Sequence, residues 1–260
     1  MSGLENRPRT PSGWDAAMYR SFSAFLRVLV AGSPSSRLNE SDGVIAAIVP
    51  AMPERSVFNS VGYESTEALA ASLEELALAY EDADVDAWTV WVPETDIRSA
   101  ELLESAGHRL DAKPEAMLLD LSELGELDPG DLDWRRGGSL DDLATINDAA
   151  YGYPPGTFGR ALGDTPADAF RRYEAHLDGE PASVLGTLDH DGDCDVLWVA
   201  TLPEAQGHGL ARRLLHLALA EARDRGCATA TLQASPDGRP LYRRLAFREL
   251  GALQMWERRR

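Results

Sequence analysis

The chain has 260 residues, 44% of them hydrophobic and six of them tryptophan, which suits one large or two small globular domains and excludes a disordered chain. Its 43 Asp and Glu against 25 Lys and Arg leave a formal net charge of -18, a negative field that repels nucleic acid and anionic membranes and favours cationic partners as well as solubility. Cys194 and Cys227 are too few for a disulfide framework and lack metal-ligand spacing, and no apolar run approaches the ~20 residues of a membrane span.

With no apolar leader at its start, the chain is expected to be a reduced, cytoplasmic protein with no metal, nucleic-acid or membrane partner. Residues 1–13, rich in Pro, Gly, Ser and Arg, are expected to be flexible. An amphipathic helix follows over 14–31, with Met18, Phe22, Phe25, Leu26 and Leu29 on one face. Short strands are expected over 43–49 and 55–61, separated by a turn at Pro50 and Pro53. A leucine and alanine helix over 66–80, a β-prone stretch over 87–92 and a second helix over 97–105 complete this half.

The order repeats near the C-terminus. Leu69, Ala70, Leu73, Leu76, Ala77, Leu78 and Ala79 align with Leu210, Ala211, Leu214, Leu217, Ala218, Leu219 and Ala220, and with a small gap 102–108 meets 241–247. Two tandem halves follow, 14–124 and 132–260, with the Gly, Pro and acidic residues of 125–131 as linker. In the second half a strand is expected over 132–135, and a helix capped by Ser139 runs to Ala150, where Tyr151-Gly-Tyr-Pro-Pro breaks it. Strands over 171–177 and 182–188 lead to an Asp191-Gly192 turn, whose cluster of Asp189, Asp191, Asp193 and Asp195 lacks the spacing of a calcium loop and reads as a solvated hairpin.

The stretch 196–220 reads as strand, glycine-rich turn and helix. Gly207 and Gly209 let a ligand approach the backbone, and the N–H groups at the helix start suit a phosphate or pyrophosphate. Gln206, Gly209 and Ala211 fall on an Arg/Gln-x-x-Gly-x-Gly/Ala pattern, and Leu241-Tyr242 precedes Ala246-Phe247 by a few residues. Together these resemble the GCN5-related N-acetyltransferases, the GNAT family.

The resemblance implies an α/β (α+β) fold of two tandem GNAT-like domains, each a mixed, mostly antiparallel sheet flanked by helices. It implies transfer of an acetyl group from acetyl-CoA to a primary amine of a small molecule or peptide, cationic amines fitting the negative charge; the alternative is a silent acyl-CoA-binding sensor or interaction module. Pantetheine would lie along Val199, Ala200 and Thr201, and pyrophosphate on Gln206, Gly207, His208, Gly209, Leu210 and Ala211, with Ser235 also touching the cofactor. Tyr242 matches the family's general acid, and its phenol, of pKa ~10, is protonated at neutral pH. Glu174, His176 and Asp195 are candidates for the base, Glu174 first; each is equally an ordinary structural residue. Tyr151 and Tyr153 would line the acceptor pocket, and a homodimer is compatible with the pattern. Ala246 stands where the family has Gly, a departure expected to touch packing only. Opposite Gln206, Gly207, Gly209 and Tyr242 the first half has Ser65, Thr66, Ala68 and Leu103, so it is expected to be a degenerate partner.

Overall fold

Packing and capping decide the ends of the first helix, α1 (Ala16–Val30): its apolar stripe of Met18, Phe22, Leu26 and Leu29 is buried, and the Asp15 carboxylate accepts the N–H groups of Ala17 and Met18. The computed structural model describes residues 7–260, so residues 1–6 of the segment expected to be flexible lie outside the described residues. The rest of that segment is tied down. Arg7 pairs with Asp15 at 2.6 Å, and Ser12 donates its N–H to Glu64 O (2.8 Å) and its hydroxyl to Tyr63 O (3.3 Å).

Five strands and two helices then carry the chain to β6: β1 (Arg37–Ser41), β2 (Val44–Ile48), β3 (Ser60–Tyr63), α2 (Thr66–Asp82), β4 (Ala87–Pro93), α3 (Ile97–Ser105), β5 (Arg109–Ala112) and β6 (Glu115–Asp120). The strand expected over 55–61 begins only at Ser60. Fully buried Asn59 holds the residues before it in tight turns, accepting Val49 N–H (2.8 Å) and donating to Met52 O (2.8 Å) and Arg55 O (3.2 Å). The second half comprises β7 (Trp134–Arg136), α4 (Leu140–Tyr151), α5 (Thr157–Leu162), β8 (Arg171–Leu177), β9 (Glu180–His190), β10 (Asp193–Thr201), α6 (Leu210–Asp224), β11 (Thr229–Ala234), α7 (Arg239–Arg243) and β12 (Arg248–Arg259). No helix among the described residues is long and apolar enough to cross a membrane.

The strands form a mixed, mostly antiparallel sheet in the order β1-β2-β3-β4-β12-β6-β11-β10-β9-β8-β7, with β5 on β12. Its two parallel pairs, β3 with β4 and β10 with β11, are each joined through a crossover helix, α2 and α6. The two arms exchange strands. β6, from the first half, lies against β11, while β12 pairs first with β6 over Arg248–Ala252 and then with β4 over Leu253–Arg259. The strand changes neighbours at Gly251, whose φ of +114 and register shift make the bend, and where a Cβ would meet Glu94 Oε1 at 2.9 Å. A cut within 125–131 therefore leaves neither arm with its own complete set of strands.

α6 buries Leu214, Leu215, Ala218 and Leu219 on one arm, and α2 buries Leu69, Leu73 and Leu76 on the other. Between them α1 packs with α4 and α5, so that Phe22, Leu26, Leu143, Ile146, Phe158 and Leu162 share a core. The aspartates expected in a solvated hairpin divide instead. Asp191 stays exposed and Asp189 pairs with Arg225 (2.7 Å), but Asp193 is buried under α1, accepting the hydroxyls of Ser21 (2.8 Å), Thr229 (2.5 Å) and Thr231 (2.5 Å).

His108 is the least satisfied side chain of the first arm: its ring meets Trp88 edge-on at 4.7 Å and neither nitrogen has a partner. Burial, with Arg258 nearby, pushes its pKa down to about 4. The unfolded chain, with an ordinary histidine near ~6.5, therefore takes up a proton over the interval in which the folded chain does not, so His108 subtracts stability as pH falls from about 6.5 towards 4. His108→Phe is expected to be more stable than the parent, by a margin that widens on the order of 1 kcal/mol between pH 7 and pH 5 in urea unfolding; a margin independent of pH would refute the assignment.

Candidate active site

β10 and β11 pair only over Asp193–Asp195 and Thr229–Thr231. Beyond these residues β11 continues along β6 and β10 along β9, so the two strands diverge and the edge of β10 facing β11 carries unpaired backbone groups. On its other edge the β9 ladder shifts register between Leu197 and Ala200, where Trp198 takes φ +50. A left-handed tryptophan costs on the order of 1–2 kcal/mol, and side chains around the bulge offset it. Asn147 Nδ2 donates to Trp198 O (3.3 Å), the Tyr151 hydroxyl to Val199 O (3.4 Å) and the Ser183 hydroxyl to Ala200 O (3.1 Å). The Trp198 ring lies between Phe25 (5.5 Å), Phe170 (5.2 Å) and Phe158 (6.3 Å). Val199, Ala200 and Thr201 thus line one wall of a wedge-shaped gap.

At the end of that wall the chain turns through Gln206, Gly207, His208 and Gly209. The left-handed φ of Gly207 (+84) and Gly209 (+72) explains the glycines, and a Cβ on either would meet nothing within 4 Å. Gly209 caps α6 without a side chain, so the first-turn N–H groups, including that of Ala211, carry no side-chain cap, and the space beside Gly209 is open. These features fit a pyrophosphate. His208 is exposed, its Nδ1 3.2 Å from Ala205 O, and the Leu210 side chain is buried in the α6 core, leaving its backbone N–H for a ligand.

Tyr242, on α7, is buried with its ring edge-on to Phe247 at 5.9 Å. Gly238 makes room for it, since a Cβ there would meet Tyr242 Cε2 at 3.0 Å. Burial pushes the phenol well above its ordinary range, with the Tyr151 phenol across the gap as the second cause. The proton therefore stays on Tyr242 at neutral pH, and no hydrogen bond engages its hydroxyl among the described residues. The Ser235 hydroxyl is instead occupied, accepting Gly238 N–H at 3.2 Å.

Tyr151 and Tyr153 stack at 6.1 Å and both stack on Phe158 (6.4 and 6.0 Å), forming an aromatic patch beside the bulge. Glu174 is not brought to them. It sits opposite Val184, which sits opposite Ala200, two strand spacings or roughly 10 Å from the gap. Its Oε1 engages His176 Nε2 at 3.0 Å, and its Oε2 lies so close under Gly138 that a Cβ there would meet it at 2.5 Å. Asp195 lies at the last paired position, where the strands part, but is 1% exposed with neither oxygen partnered, and burial beside Asp193 pushes its carboxyl well above the usual range. A carboxyl that keeps its proton is no ready base. Asn147, Phe158 and Trp198 complete the site without a motif to mark them; the only signal for Asn147 is a polar residue on the buried face of a helix.

Residues 142–247 match the model of the acetyltransferase (GNAT) family. Among solved structures the fold is similar to a GCN5-related N-acetyltransferase from Kribbella flavida, at 19% identity and a TM-score of 0.67, covering 92% of this chain and 94% of that one. A GCN5-related N-acetyltransferase from Sphaerobacter thermophilus matches at 18% and 0.58 over 96% and 94%. A tandem GNAT protein from the clavulanic acid biosynthesis pathway matches at 13% and 0.60 over 98% and 90%. Identities this low speak for the fold alone. No curated protein matches the chain.

Ala246, expected to affect packing only, instead occupies the left-handed region at φ +65, directly before Phe247. The departure falls on the backbone. Ala246→Gly is expected to stabilise the protein by about 0.5–1 kcal/mol, the left-handed penalty less the extra entropy of glycine in the unfolded chain, measurable by denaturant unfolding; a destabilised variant would contradict the strain.

Proposed function

We propose, on the match of residues 142–247 to the GNAT acetyltransferase family, that the chain transfers an acetyl group from acetyl-CoA to a primary amine of a small molecule or peptide in the cytoplasm. The observation that carries this reading is the uncapped α6 N-terminus placed at the end of the gap between β10 and β11. Acetyl-CoA supplies the activated thioester. The N–H groups after Gly209 would hold its pyrophosphate, and backbone N–H groups in the stretch Val199 to Thr201, whose Val199 and Ala200 carbonyls are taken by Tyr151 and Ser183, would align the pantetheine arm and polarise the thioester carbonyl. As the amine nitrogen bonds to the carbonyl carbon and the carbon–sulfur bond breaks, Tyr242 would give its proton to the departing thiolate, and the proton that the nitrogen loses on becoming an amide would pass to solvent, from which the phenol is reprotonated. The acceptor would enter over Tyr151 and Tyr153, opposite that hydroxyl.

The first half keeps the same strand-helix-strand unit but fills the equivalent socket itself. Ser65 caps α2 by accepting Ala68 N–H (3.1 Å), and the Asp96 carboxylate takes hydroxyls from Tyr63 (2.8 Å), Thr66 (3.2 Å) and Ser99 (2.7 Å) over the same helix start. This carboxylate, itself the N-cap of α3 through Ser99 N–H (3.1 Å), thus also stands beside the first residue of α2, which supports a degenerate first half with one cofactor site per chain. On this reading 14–124 and 132–260 are two halves of GNAT type joined by 125–131.

Gly209→Asp places a negative side chain in the socket and is expected to abolish acetyl-CoA binding in calorimetry; unchanged affinity would remove the cofactor assignment. Tyr242→Phe is expected to bind acetyl-CoA normally while thiol release with an accepted amine falls roughly ten- to a thousand-fold. Binding by the parent without thiol release from any amine would favour a silent acyl-CoA sensor.

A further inference from the structure

Arg55 stands in the connection between β2 and β3, in the first half of the chain, with its guanidinium carbon 4.5 Å from the centroid of the Tyr153 ring. Tyr153 stacks on Tyr151, whose hydroxyl reaches Val199 O, so one continuous row of contacts leads from the bulge to this cation. Among the described residues Arg55 has no carboxylate within salt-bridge distance, and its Nε is buried without an acceptor. Nearby Arg160, by contrast, finds Glu54 at 3.8 Å. The position is also rigid. Asn59 bonds the Arg55 carbonyl, and Phe58 packs edge-on against Phe158 at 5.4 Å, so the backbone that carries the guanidinium to the Tyr153 ring is held before any ligand arrives.

A guanidinium stacked by one face on an aromatic ring keeps its N–H edge for a planar anion, and in a partly dehydrated pocket such a bond is strong. We propose that Arg55 forms an anion-binding subsite of the acceptor cleft, and that the acceptor is a primary amine carrying a carboxylate, its amine at the bulge and its carboxylate on Arg55. The inference rests on the proposed transfer site at Val199 and on the tyrosines as the acceptor's path. It also narrows the acceptor away from the purely cationic amines that net charge alone suggested, because a diamine would set its second ammonium against Arg55.

The test is calorimetric titration, into protein saturated with CoA, of ω-amino acids of three to six carbons, the corresponding amides and diamines, and aminoalkyl phosphates of matching length. At least one amino acid is expected to bind about tenfold or more tightly than its amide, and Arg55→Gln should remove that difference while leaving CoA affinity and amide binding unchanged; Arg55→Lys should restore part of it. The thiol-release assay with acetyl-CoA should rank the amines in the same order. Amides or diamines binding as well as amino acids, or Arg55→Gln weakening all of them equally, overturns the proposal. A preference for the phosphates over the carboxylates keeps the subsite and overturns the carboxylate assignment. Binding on Arg55 without thiol release would leave the subsite standing and count against the transferase reading.

Discussion

Everything at the candidate site depends on where the hydrogen bonding between β10 and β11 stops. Three residue pairs hold the strands in parallel, and after Asp195 and Thr231 each strand follows a different neighbour. Unpaired backbone groups in a sheet interior are costly unless something else satisfies them. The chain answers with a bulge in the β9 ladder and with three side chains, Asn147, Tyr151 and Ser183, that bond the carbonyls of Trp198, Val199 and Ala200. On the β11 side it leaves the groups facing the gap. The left-handed Trp198 is tolerated because three aromatic rings hold its indole, so strain in the strand is converted into a fixed ligand edge.

The same sheet makes the two arms dependent on each other. β6 leaves the first half to pair with β11, and β12 runs from one arm to the other, so unfolding either arm strips a central strand from its partner. α1 adds a second tie. Its Ser21 bonds the buried Asp193 carboxylate of β10, while Phe22 meets Trp91 of β4 at 5.6 Å. The gap between β10 and β11 is therefore braced from the first half as well, by β6 against β11 and by α1 on Asp193, rather than held open by the second half alone.

Much of this was legible in the residues, because local rules govern the helices and the turn. The stripes of α1, α2 and α6, the Ser139 cap and the two glycines before α6 each follow from spacing or from a backbone that only glycine adopts without strain. What stayed hidden is non-local. The exchange of β6 and β12 depends on pairing between residues more than a hundred positions apart, which no local pattern carries. Residues 55–59 look like a strand, but Asn59 binds three backbone groups and folds them into turns. Glu174 was singled out as an acid on a strand, and only the register, with Val184 between it and Ala200, reveals its distance from the gap. Ala246 hid a backbone requirement behind an ordinary side chain.

The two crossover helices show how one unit can lead to opposite outcomes. At α6 a glycine cap and open space leave positive potential for a ligand, whereas at α2 a serine cap and the Asp96 network consume it within the protein. On the proposed reading, a half that has closed its own socket is free to take other work. The β2–β3 connection is braced by Asn59, and it carries Phe58 and Arg55 against the aromatic patch of the other half. On the proposed reading the division of labour follows from electrostatics: one helix start left positive to hold the donor, the other neutralised from within, and Arg55, stacked on Tyr153 without a carboxylate, left to choose the acceptor.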